Sequence, residues 1–283
     1  MMQESLRAAH GPLPRTRTLT AVAVASLCLA ALATAAHAWT RHRARVPASP
    51  AQMDAALDAR GVAWIWPASN GPTAARAPHY RQAAVLVETL RIGANDVERL
   101  PRTQPLVLPG GVAVMPVVHV EAADDAPDAL SDEQASAIVA AFRRHVADAS
   151  AGAGAVQLDF EAPRRERASY QALVARIKAA LPPELRLSVT ALAHWCTESD
   201  WLDHLLADEV VPMLYRLGPR AAHWQSLWLD DGSALAARCR GPAIGFSTRE
   251  PPPASLLART PRPYWFDESA WSNASYRNPP IAP

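Results

Sequence analysis

The residues best equipped for chemistry stand in one run, Gly154-Ala155-Val156-Gln157-Leu158-Asp159-Phe160-Glu161. Val156, Leu158 and Phe160 alternate with Gln157, Asp159 and Glu161, the period of a β-strand. Residues two apart share a face, so one wall of this strand carries an amide and two carboxylates. The other wall is apolar, and the flanking segments put the strand inside a helix-covered sheet. Two acids on its inner face then need a chemical reason to exist. Pro163 ends the strand and leaves Asp159 and Glu161 at its C-terminal tip.

The surrounding chain supplies the elements that must hold this tip. Val62 to Trp66 reads as a first strand, stopped by Pro67 and the turn signal Asn70-Gly71-Pro72. Ala84 to Ile92 and Val112 to Val120 are the second and third. Ser131 and Gln134 form a capping box for a helix to about His145, with Ile138, Val139 and Phe142 on one face. The acidic strand is fourth. A helix over Arg165 to Leu181 follows, with Tyr170, Leu173, Val174 and Ile177 at helical spacing and Pro182-Pro183 after it. Leu185 to Leu192 is a fifth strand, Ser199 to Leu206 a short helix, and Glu209 to Tyr215 a sixth strand. Ala221 to Ala237 is partly helical, Ala243 to Ser247 is a seventh strand and Pro263 to Phe266 an eighth. Eight strands with mostly helical spacers predict an α/β fold, a (β/α)8 TIM-like barrel over residues 58–283, irregular in its first two units.

Such barrels work at the C-terminal ends of their strands. Trp64, Trp66, His119, Gln157, His194, Trp195, Met213, Arg216 and Trp265 fall at or near those ends and are candidate substrate-binding residues. Aromatic rings around an acid pair suit a sugar, whose apolar ring faces stack on indole while its hydroxyls seek polar groups.

Two stretches carry a resemblance to a known family. The strand-four run resembles the D-G-x-D-x-D-x-E signature of the family 18 glycoside hydrolases, the chitinase-like enzymes: Asp159 and Glu161 match its last two acids, while Gly154, Ala155 and Gln157 depart from the pattern. Met213-Leu214-Tyr215-Arg216 is similar to that family's sixth-strand M-x-Y-D, with Arg216 in place of the final acid. The soluble part also resembles an uncharacterised bacterial domain family with a hydrolase-like barrel. The chitinase-like resemblance implies that Glu161 protonates the leaving glycosidic oxygen while the substrate's own N-acetyl group attacks, Asp159 orients the acetamide nitrogen and Tyr215 donates to its carbonyl oxygen. Gln157 removes the acid with which Asp159 would share a proton. Arg216 sets a fixed positive charge near the tyrosine. Three readings are therefore open: a glycoside hydrolase acting on an N-acetylated polysaccharide or oligosaccharide, a carbohydrate-binding barrel without turnover, and a structural envelope protein.

Charge is balanced at +1 over 283 residues, and the scattered basic residues argue against a nucleic-acid partner. Residues Thr18 to Thr40 contain no Asp, Glu, Lys or Arg. At about 1.5 Å per residue, this stretch reaches across the roughly 30 Å hydrocarbon core of a bilayer. Residues 1–40 read as a signal peptide with an Ala36-His37-Ala38 cleavage site, or as a membrane anchor, with residues 41–57 as a linker. Arg41, Arg43 and Arg45 beyond the stretch oppose export. The reading adopted is a periplasmic or extracytoplasmic domain. Cys196 and Cys239 then make either a disulfide or two buried thiols. The histidines show no metal-ligand spacing, no glycine-rich phosphate loop precedes a helix, and no cofactor is implied.

Overall fold

The computed structural model describes residues 45–66, 80–106, 108–127, 129–162, 167–198, 201–230 and 232–266. The N-terminal segment over 1–40, the stop at Pro67, the turn at Asn70-Gly71-Pro72, Pro163 and the start of the helix expected from Ser199 lie outside them. Among the described residues no helix is long and apolar enough to cross a membrane.

Among the described residues nine strands form one sheet: β1 (Val62–Ile65), β2 (Gln82–Ile92), β3 (Val97–Pro101), β4 (Ala113–Ala122), β5 (Ala155–Phe160), β6 (Arg186–Leu192), β7 (Glu209–Met213), β8 (Ala243–Ser247) and β9 (Arg262–Phe266). The order is β1-β9-β8-β7-β6-β5-β4-β2-β3, and β1 also pairs with β2. That last pairing closes eight parallel strands into a TIM-like barrel and leaves β3 outside as an antiparallel partner of β2. Closure forces the alternation on every strand to sort into a lumen and an outer layer.

Among the described residues six α-helices accompany the sheet: α1 (Pro50–Arg60), α2 (Asp132–Arg144), α3 (Val146–Ala151), α4 (Arg167–Ala180), α5 (Ala221–Leu229) and α6 (Ala254–Arg259). The expected capping box starts α2, with Gln134 and Ser131 each donating a backbone N–H to the other's side chain. Asp132 and Glu133 sit in its first turn and Arg143 and Arg144 in its last, matching the helix dipole. Ile138 and Phe142 from α2 join Tyr170, Leu173, Val174 and Ile177 from α4 in the outer hydrophobic core.

The linker expected over 41–57 is corrected in its second half. The compact unit begins at Val46, and Ser49 and Gln52 form a second capping box that starts α1. Arg60 at its end donates to the carbonyls of Leu257 and Thr260 and so caps the C-terminus of α6. Two 3-10 turns follow β6, Ala193–Thr197 and Trp201–His204, and the second lies where a helix is expected over 199–206. A disulfide joins Cys196 in the first turn to Cys239, with both residues buried in the outer core. The irregularity expected early in the barrel is found between β2 and β4, where β3 replaces a helix.

Glu88 fixes that irregular corner. Its carboxylate is fully buried beside a register shift in β2, and it pairs with Arg99 of β3, with Arg144 of α2 at 3.1 Å and with His145 at 2.9 Å. Burial alone would raise this carboxyl, but bonds from His145, Arg99 and Arg144 reverse the effect and hold it at about 2 instead of 4.5. Because the folded value is depressed, the stabilisation is fully present above the unfolded value and is lost as pH falls through the folded one. The difference corresponds to about 3 kcal/mol. Urea unfolding at pH 5, 4, 3 and 2 is expected to show that loss in wild type and a flatter profile in Glu88→Gln. Parallel profiles would contradict the assignment.

Candidate active site

Inward-facing residues of the barrel split into an apolar set and one polar chain. Val62, Trp64, Met115, Val117, Val211 and Met213 are among the apolar lumen residues. The polar chain begins at Trp64, whose Nε1 donates to Gln157 Oε1 at 2.7 Å. Gln157 Nε2 donates to Ser188 Oγ at 3.0 Å, and Ser188 donates to Glu209 Oε2 at 2.9 Å. Tyr264 closes it by donating to the same Glu209 oxygen at 2.6 Å. Gln157 is fully buried, so these partners are what allow an amide to stand there. Gly245 on β8 provides the room: a Cβ there would lie 2.7 Å from the Trp64 indole. Gly154, where the chitinase-like pattern has an acid, takes φ +64°, a left-handed conformation that favours glycine.

Nearer the C-terminal mouth stands Asp159, 8% exposed. Its Oδ1 accepts from Thr190 Oγ1 at 2.6 Å, and its Oδ2 lies 3.1 Å from His119 Nδ1. Burial opposes ionisation of Asp159. The bond and charge of His119 and the Thr190 hydroxyl outweigh it and hold the carboxyl below its ordinary range. His119 answers in kind: desolvation pulls its imidazole down, but Asp159, Glu121 and Glu161 together raise it. Glu161 follows the end of β5 and reaches solvent at the rim. The low-polarity walls of the mouth and then the charge of Asp159 push its carboxyl up, against the opposing pull of His119 and Arg216. Two carboxyls two residues apart are thus driven in opposite directions.

Trp64, Trp66, Thr190, Met213 and Tyr215 line a cavity with Asp159, and Glu161 stands outside its lining. The room left among these side chains is small, far below the roughly 300–1,000 Å³ usual for a drug-sized ligand. Tyr215 stacks on Phe266 with ring centroids 5.4 Å apart and 15° between planes, and its hydroxyl donates to Met213 Sδ at 3.3 Å. A thioether is a weak acceptor, readily replaced by a carbonyl oxygen. Trp66 sets its ring edgewise to His119 at 5.0 Å. Arg216 is exposed at φ +54°, the one non-glycine residue with positive φ among those described, and Glu250 accepts from its backbone N–H at 2.8 Å.

Of the residues expected from sequence, Asp159, Glu161, Tyr215, Trp64, Trp66, His119, Gln157 and Met213 converge on the lumen and its mouth, and Arg216 acts on Glu161 from the rim. His194 is exposed on the 3-10 turn after β6. Trp195 and Trp265 are corrected as substrate-binding residues, because their side chains pack in the outer core. Trp195 meets Tyr170 and Trp201 there, and Trp265 meets Phe246. Tyr264 and Trp265 are adjacent on one strand, so only one can face the lumen, and it is Tyr264. Thr190, Phe266, Ser188 and Glu209 were missed. Ser188 and Thr190 alternate with Leu187 and Val189, the same signal that marks β5. Among the described residues no three His, Cys, Asp or Glu side chains could hold a metal ion.

No protein-family model matches the sequence, and neither does any curated protein. Among solved structures, the chain is similar to the spore cortex-lytic enzyme SleL of Bacillus cereus at 15% identity and TM-score 0.40, over 66% of this chain and 50% of that one. It thus spans half the length of that enzyme. It is also similar to a protein assigned as chitinase A of Streptomyces coelicolor, at 10% identity and TM-score 0.44, over 77% of this chain and 95% of that one.

The lumen chain makes a direct prediction. Gln157→Leu keeps the volume but leaves the Trp64 N–H buried without an acceptor, at a cost of about 1–3 kcal/mol. Urea denaturation followed by tryptophan emission is expected to show a lower midpoint and a shifted native spectrum. An unchanged midpoint would mean that the chain contributes nothing to stability.

Proposed function

We propose that this protein is a glycoside hydrolase that cleaves an N-acetylated envelope or extracellular polysaccharide with retention of configuration, using the substrate's acetamido group as nucleophile. The observation carrying this reading is the contrast between Asp159 and Glu161, one held ionised and the other driven towards its protonated form at the same barrel mouth. A pair split in this way suits one acid and one fixed anion. In the proposed step the proton of Glu161 passes to the glycosidic oxygen as the acetamide oxygen attacks the anomeric carbon. The C–O bond to the leaving sugar breaks, and Asp159 balances the positive charge that develops on the acetamide nitrogen. Tyr215 donates to the acetamide oxygen in place of its bond to Met213. Water then opens the cyclic intermediate and gives its proton to the Glu161 carboxylate, restoring the acid. Trp64, Trp66 and Tyr215 offer the apolar walls against which a sugar ring packs.

The Cys196–Cys239 disulfide supports an oxidising compartment. The reading therefore includes a periplasmic or extracytoplasmic location, with residues 1–40 as a cleaved signal peptide or an inner-membrane anchor.

One observation favours a second reading, a carbohydrate-binding barrel without turnover. Gln157 stands where the chitinase-like pattern has an acid, and its amide is committed to Trp64 and Ser188. Asp159 thus has no inner acid with which to exchange a proton.

Glu161→Gln separates the two. The substitution keeps shape and hydrogen bonding but removes the proton donor, and positioned acid catalysis typically contributes about 10²- to 10⁴-fold. Release of reducing ends from an N-acetylglucosamine oligomer is expected to fall by that factor, while binding, followed by tryptophan fluorescence, persists. Wild type that binds the oligomer and releases nothing would establish the second reading. Wild type that does neither would remove both and leave a structural role.

A further inference from the structure

Behind Asp159 the mouth contains a charged line, through His119, Glu121 and Arg91, that the proposed reaction does not itself use. His119 lies between two carboxylates: its Nδ1 is 3.1 Å from Asp159 Oδ2, and its Nε2 is 3.8 Å from Glu121 Oε2. Glu121 is in turn held by Arg91 Nε at 2.9 Å, and Arg91 reaches Glu98 of β3 at 3.1 Å. The line therefore runs from the lumen acid to the hairpin outside the barrel. Its register is built in, since β4 aligns His119 with Asp159 on one side and with Thr89 on the other.

We infer that His119 is a positioning residue for the acid pair: as an imidazolium it donates to Asp159, keeps that carboxyl ionised and in one orientation, and so leaves the proton of the pair on Glu161. This rests on the hydrolytic reading for its catalytic meaning, though not for its electrostatics. The Asp159 oxygens each receive one donor, Thr190 at one and His119 at the other, which fixes the plane of the carboxylate. The groups that face His119 are Thr89 and Arg91 from β2, Glu121 from its own strand, Asp159 and Glu161 from β5, and the edge of Trp66. Three carboxylates against one guanidinium, itself shared with Glu98, favour the charged imidazole. Without it, Asp159 is a buried carboxylate with only a hydroxyl as donor. It then becomes the better place for the proton, and Glu161 loses its assignment as the acid.

The test is a carbon-13 NMR titration of the Asp159 and Glu161 carboxyls in wild type, His119→Asn and His119→Ala, with thermal melts to establish folding. An opposite charge within hydrogen-bonding range lowers an aspartate by about 1–3 pH units, so the Asp159 midpoint is expected to rise by that amount in His119→Ala. Asparagine can return a neutral donor near the Nδ1 position. In His119→Asn the Asp159 midpoint is expected to rise less than in the alanine variant, yet remain above wild type. If His119→Ala does not fold, the asparagine variant decides alone. In the pH profile of turnover, the acidic limb, which requires ionised Asp159, moves to higher pH in both variants, and kcat returns further in the asparagine variant than in the alanine variant. A merely structural role lowers activity at every pH and leaves that limb in place. An Asp159 midpoint unchanged by either substitution overturns the proposal. The titrations need no substrate, so they decide it even if wild type turns nothing over, an outcome that overturns the hydrolytic reading alone.

Discussion

A carboxylate cannot sit inside a closed barrel without donors, and much of the mouth of this protein is arranged around that requirement at Asp159. Thr190 supplies one donor from the neighbouring strand β6, and His119 supplies the other from β4. Because those partners lie on the strands either side of β5, the acid is held only when the parallel register of all three is correct. The site and the fold therefore share one constraint. The charge of Asp159 also raises the cost of ionising Glu161 two residues on, so the two carboxyls are pushed in opposite directions.

Deeper in the lumen the same logic runs through neutral groups. Gln157 is tolerated because Trp64 donates to it and Ser188 accepts from it, and the chain ends on Glu209, which Tyr264 and Arg262 help to balance. Trp64 can cross the lumen because β8 carries Gly245 where its ring lies. A single indole thus links the polar floor to the cleft wall, where it meets Tyr215 edge-on with centroids 6.4 Å apart.

The eight barrel strands were legible mainly as short apolar runs, because strands of a closed barrel are buried on both faces, and the two long helices by the 3.6 period of their one buried face. The β3 strand was not: Val97-Glu98-Arg99-Leu100-Pro101 is half exposed and held partly by Arg99 to Glu88, a pairing that leaves no local pattern. The α1 helix buries only Met53 and Ala56, so its amphipathic signal is faint, although Ser49, Pro50 and Gln52 spelled out its start. At the site, residues on β5 were readable from alternation alone. Trp265 was misread because a strand's sequence gives its period but not its phase, and the phase of β9 is set by its neighbours β1 and β8; Trp195 was misread because the chain leaves β6 at Leu192 and turns in a 3-10 helix. His119 was found as a residue at the mouth. Its bond to Asp159, forty positions away, depended on register that no single strand contains.

The proposed reaction makes a definite chemical claim: in it Glu161 gives a proton, Asp159 keeps its charge, and the nucleophile belongs to the substrate. Such a route passes the anomeric carbon through two inversions, with a cyclic intermediate between them. Proton NMR of the anomeric signals during digestion of a β-linked N-acetylglucosamine oligomer reads the outcome before mutarotation obscures it. The account predicts that the β-anomer of the new reducing end appears first. Initial release of the α-anomer would contradict it, because direct attack by water would then have replaced the acetamido group.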